Sequence, residues 1–133
     1  MMINTKLNKS LIILTILLTL HACGKLKGEF AIKTGMGEKY IRIKKSLEFH
    51  KDKAYHWAYT LKKVSGKHKV GILILKKNIV WVEIIDERDF VSPQKTAITG
   101  TIKGLKPGNY KLILTDLDDR EIIDTLPFLV YKE

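Results

Sequence analysis

The sequence predicts an all-β protein, an antiparallel sandwich or small barrel, and three observations lead there. Apolar residues recur with a period of two over much of the chain. Clusters of turn-forming residues break that pattern at short intervals. No segment keeps a helical period: residues 47–61 could be laid on a helix, but their aromatics fall better on alternate positions. Composition agrees, with 133 residues of which 45% are hydrophobic and 29% charged, as in an ordinary globular chain. The single cysteine excludes an internal disulfide and zinc sites of the Cys₄ or Cys₂His₂ type.

The first element is not a strand. Residues 1–10 carry Lys6 and Lys9 and no acid, and residues 11–20 then run without a charge. A basic segment followed by a short apolar one is the pattern of an export signal. The run is too short to cross a hydrocarbon core, which needs roughly 20 apolar residues. Residues 1–22 are therefore read as a signal peptide, 23–29 as a short tether and 30–133 as a sandwich of about seven or eight strands.

Each strand has its own evidence. Over residues 40–49 Ile41, Ile43, Leu47 and Phe49 share a face, with Lys45 breaking it. Tyr55, Trp57, Tyr59 and Leu61 make an aromatic face that suits the core better than a ligand platform. Residues 65–68 signal a turn. Residues 70–75 and 79–85 are almost continuously apolar, as in strands covered on both faces, with Lys76, Lys77 and Asn78 as the hairpin loop between them. Residues 96–102 and 110–114 alternate again, residues 116–119 turn the chain, and residues 122–131 close it with Ile122, Leu126, Phe128 and Val130 on one side. Pro127 marks that last strand as an edge or a bulge.

The apolar leader ends in Leu20-His21-Ala22-Cys23. This resembles the lipobox of bacterial lipoproteins, although His21 stands where a small or aliphatic residue is usual. The resemblance implies cleavage between Ala22 and Cys23 and a diacylglyceryl thioether, with palmitate-type acyl chains, on Cys23. The partner implied is a membrane, reached through the lipid anchor. Gly24 is not the Asp associated with inner-membrane retention in enteric bacteria, so the outer membrane is the expected address.

A second resemblance lies in Gly104-Leu105-Lys106-Pro107-Gly108-Asn109-Tyr110. It resembles the corner of fibronectin type III and other immunoglobulin-like domains, where a Tyr hydroxyl bonds back to the backbone, and it is similar also to a motif of transthyretin-like and carboxypeptidase-regulatory-like sandwiches. The resemblance implies an immunoglobulin-like Greek-key sandwich, with Tyr110 in that role, Gly108 in the turn, Leu105 against the core and Trp57 between the sheets. It implies nothing about function.

Catalytic chemistry finds no constellation. The histidines His50, His56 and His68 lack metal-ligand spacing, and Lys67 and Lys69 flank His68. The acidic clusters Glu83, Asp86, Glu87, Asp89 and Asp116, Asp118, Asp119, Glu121 do not match a calcium loop. There is no serine elbow and no phosphate loop, and Gly35-Met36-Gly37 is too little to be one. The expectation is a protein without cofactor or enzymatic activity.

Charge is uneven. The formal net charge is +10; residues 23–82 hold 15 Lys and Arg against 4 Asp and Glu, and residues 83–133 hold 7 against 10. Besides Lys44 and Lys45, the basic half carries Lys62, Lys63, Lys67, Lys69, Lys76 and Lys77, several at strand ends. Gathered on one rim they would hold a polyanion such as lipid head groups or an anionic envelope polymer. Solubility and protection of strand edges account for the same lysines. An exported, anchored protein rarely meets nucleic acid, so none is expected.

The function expected is that of an envelope lipoprotein binding a macromolecule of the envelope or a host. Two alternatives stand beside it. One is an inhibitor or immunity-type lipoprotein that blocks a wall-active enzyme through residues 64–69 or 87–95. The other is an accessory subunit using an exposed strand edge.

Overall fold

The computed structural model describes residues 26–34, 39–43 and 47–132. The signal peptide with Ala22 and Cys23, the Gly35-Met36-Gly37 stretch, and Lys44 and Lys45 lie outside them. Among the described residues the fold is all β, with nine strands: β1 (Gly28–Lys33), β2 (Ile41–Arg42), β3 (Leu47–His50), β4 (Tyr55–Leu61), β5 (His68–Lys77), β6 (Trp81–Val91), β7 (Ala97–Ile102), β8 (Gly108–Asp116) and β9 (Glu121–Tyr131). One sheet has the order β2-β1-β4-β7 and the other β3-β9-β8-β5-β6.

The two sheets enclose one core. Phe30, Trp57, Tyr59 and Ile98 come from the first sheet and meet Val70, Ile72, Leu112, Leu114 and Phe128 from the second. The alternation read in β4 is what buries Tyr55, Trp57, Tyr59 and Leu61 together. Phe30 meets Trp57 and Tyr59 edge-on, while Phe49 stacks on Tyr55 at 4.2 Å between centroids. Gly100 pairs with Trp57 across β4 and β7, and a methyl group there would come within 2.6 Å of the indole. The missing side chain makes room for the largest core ring.

The order β1-β4-β7 in one sheet faces β9-β8-β5 in the other, a two-sheet sandwich. The corner expected before β8 is present: the Tyr110 hydroxyl donates to the Lys106 carbonyl, and Leu105 packs at the core margin. Gly104 and Gly108 hold positive φ angles of 69° and 154°, which glycine adopts without strain.

Four sequence expectations are corrected. The strand expected over residues 40–49 is two strands in different sheets: β2 pairs with β1, and β3 pairs with β9. The β3–β9 pair is parallel, so the sandwich is not purely antiparallel. The run at 79–85 is not covered on both faces: Ile79 and Val80 form the hairpin turn and are 96% and 66% exposed, while β5 extends through Lys77. Ile122 is likewise exposed, because the β8–β9 register shifts between Leu114 and Thr115 and puts Ile123 against the core instead. Within the segment read as a tether, Leu26 is buried and β1 begins at Gly28.

Candidate functional site

The strand directions sort the expected basic residues into two groups. Gly28 at the start of β1 lies opposite Leu61 at the end of β4. Lys62 follows, and its N–H donates to the Lys27 carbonyl at 2.9 Å. Lys27, Lys62 and Lys63 therefore share one end of the sandwich and are all exposed. Lys67 and Lys69 belong to the β4–β5 connection and the start of β5 at that same end, with the Lys67 ammonium 4.6 Å from the Phe90 ring. Lys76 and Lys77 close β5. At about 3.3 Å per residue they stand about 30 Å away, at the other end. The six lysines thus do not form one rim.

A polar closure lies at the first end. The His68 ring sits between Asp116 Oδ2, 3.2 Å from Nδ1, and the Ser65 carbonyl, 2.9 Å from Nε2. Asp116 is buried, and its Oδ1 accepts the N–H groups of Asp118 and Asp119. Asp118 Oδ2 accepts the Lys69 N–H at 2.9 Å. His68, Asp116 and Asp118 bring potential metal-ligating atoms within 4.8 Å of one another, but these hydrogen bonds already engage the oxygens. The arrangement ties the β4–β5 connection to the β8–β9 turn. Sequence reading saw only the lysines beside His68, because its acidic partner lies 48 residues away.

Tyr59 makes a second tie at this end. Its hydroxyl accepts the Gly28 N–H at 2.9 Å and donates to Asp124 Oδ2 at 3.1 Å, linking β1, β4 and β9. Burial above all, then the Asp124 charge, pushes the Tyr59 phenol well above its ordinary value. Burial also raises Tyr110.

The opposite end is apolar and aromatic. On the β5–β6 hairpin Ile79, Val80, Trp81, Val82 and Ile84 are all exposed. The Lys111 ammonium lies 4.3 Å from the Trp81 ring. Beside it, a shallow depression of about 450 Å³ is lined by Glu48, Lys77, Trp81, Asn109, Pro127 and Leu129, among others. β6 is also the free edge of its sheet, and the expected inhibitory loop at 87–95 is mostly strand, since β6 runs to Val91. Sequence reading missed this surface because an apolar run reads as core. The signal that pointed outward was the interleaving of Glu83, Asp86, Glu87 and Asp89 along the same strand.

Fold and surfaces together define a Greek-key β-sandwich with a basic end and an apolar hairpin end. No protein-family model matches the chain, and no curated protein matches it. Among solved structures it is similar to a chain from Bacillus anthracis described as a "putative lipoprotein", at 12% identity and a TM-score of 0.43, over 73% of this chain and 76% of that one.

Proposed function

We propose that the chain is an envelope lipoprotein, anchored by a lipid on Cys23, whose sandwich is a non-enzymatic binding module for a partner protein. The support for the anchor is the leader and the Leu20-His21-Ala22-Cys23 motif. Gly24 favours the outer membrane as its address. The observation that carries the binding role is the run of exposed apolar side chains from Ile79 to Val82 on a projecting hairpin. A monomeric surface rarely keeps such a patch without a partner. The module resembles a fibronectin type III domain in its corner at Tyr110, and its partner contact lies at the end away from β1.

Intact mass of the mature protein from its native host tests the anchor: a chain starting at Cys23 and carrying acyl groups is expected. A photo-crosslinker at Val82, exposed on the same hairpin, tests the binding role. One defined adduct should form in the envelope and disappear in Ile79→Lys/Val80→Lys, while Lys62→Glu/Lys63→Glu retains it. Equal yields from all three chains would remove the hairpin from the binding role.

A further inference from the structure

The joint between anchor and domain is short. Leu26 is 4% exposed and part of the core, and the next residue is fixed by the Lys62 N–H bond to the Lys27 carbonyl. Three Cα–Cα steps separate Cys23 from Leu26, a reach of at most about 11 Å. A lipid on Cys23 would therefore hold the β1 start within one side-chain layer of the head groups. The surface brought there is the one carrying Lys27, Lys62 and Lys63, all exposed. None of the three forms an ion pair among the described residues.

The acids at this end are mostly engaged elsewhere. Asp89 pairs with Lys95 at 2.8 Å, Asp116 faces His68, Asp118 accepts the Lys69 N–H, and Asp124 accepts the Tyr59 hydroxyl. These four, together with Asp119 and the exposed Glu121 beside them, belong to the five-stranded sheet or the turn that follows β8. Glu29 lies beside Lys62 on the other sheet. The side of the domain nearest the tether is thus the cationic one.

We infer that the Lys27, Lys62 and Lys63 surface docks on anionic phospholipid head groups, so that the sandwich stands end-on and points the β5–β6 hairpin away from the bilayer. The inference rests on anchoring at Cys23. Tethering supplies the local concentration, and unpaired ammonium groups near an anionic surface supply the orientation. Lys67 lies at the margin, held over Phe90. Lys76 and Lys77, about 30 Å away, are several Debye lengths from the head groups at physiological salt.

The test uses the full lipidated protein, reconstituted in vesicles with and without phosphatidylglycerol in phosphatidylcholine. Lysines are acetylated with acetic anhydride and read by peptide mass spectrometry. Lys27, Lys62 and Lys63 should label roughly threefold or more slowly on anionic than on neutral vesicles, and the difference should shrink in high salt. Lys76 and Lys77 should label equally on both. Inserting about twenty Gly and Ser residues after Lys25 should relieve the protection, because a long flexible linker lowers the effective concentration. Equal labelling of Lys62 and Lys63 on both vesicles, or equal protection of all lysines, overturns the docking. Intact mass separates the two failures: an unmodified Cys23 overturns the anchor and the docking with it, whereas a lipidated chain without protection overturns the docking alone.

Discussion

Gly100 and Tyr59 show how single positions fix the interior. Gly100 faces the Trp57 indole where an added methyl would come within 2.6 Å. The indole is buried in the core at 2% exposure, so it has little room to retreat. Gly100→Ala should cost about 1–3 kcal/mol, the usual range for overpacking, read as a lower denaturant midpoint with unchanged slope. Tyr59 predicts a pH effect. Its phenol is raised above 10.0 by burial and by Asp124, so the folded chain holds a proton that the unfolded chain releases first. The stabilisation by the neutral phenol is complete below about pH 10 and is lost as pH rises beyond it. The denaturation midpoint should therefore fall as pH rises above the ordinary tyrosine value of about 10. Tyr59→Phe should flatten that fall. At neutral pH the same change should cost about 1–2 kcal/mol, because the Gly28 N–H and Asp124 each lose a partner. An equally steep alkaline fall in Tyr59→Phe would assign the effect to another group.

Among the elements, β6 carries the sharpest conflict between local pattern and position. It is an edge strand with exposed Trp81, Val82, Ile84 and Phe90, and such an edge invites pairing with another chain. Glu83, Asp86, Glu87 and Asp89 oppose this. If two copies paired antiparallel about the middle of the strand, Asp86 would face its own copy and Glu83 would face Asp89, like charges opposed. Glu83→Val/Glu87→Val should leave the fold intact and drive self-association, seen as a concentration-dependent rise in sedimentation coefficient. A monomer at all concentrations would show that the carboxylates do not guard the edge. The element also marks how far the sequence could be read. β4 and β8 were legible because one face is buried and alternation follows directly, and the corner at Tyr110 was legible because its residues are local. β6 was not, because its exposure depends on being last in a sheet whose order is set by contacts far along the chain. The His68–Asp116 closure was hidden for the same reason, while the β2–β3 split left one trace, Lys45 in an otherwise apolar phase.

For the molecule as a whole, the question is whether the anchor proposed at Cys23 would meet a loose linker or the fold itself. A polar tether over residues 23–29 would let the sandwich swing freely at the membrane. The structure instead puts Leu26 in the core and fastens Gly28 to Tyr59, and through it to Asp124 on β9. Any pull on Cys23 would then be felt by both sheets. If Leu26 is a core residue, Leu26→Ala should cost about 2–4 kcal/mol, as truncation of a buried leucine does, measured by denaturation of the full mature chain. The neighbouring Lys27→Ala, an exposed position, should stay within about 0.5 kcal/mol of wild type. A Leu26→Ala change as mild as Lys27→Ala would return residues 23–29 to the status of a linker. The loss expected for Leu26 instead makes the chain from residue 26 onward part of the sandwich, so that the orientation of the two ends relative to Leu26 is set by the fold.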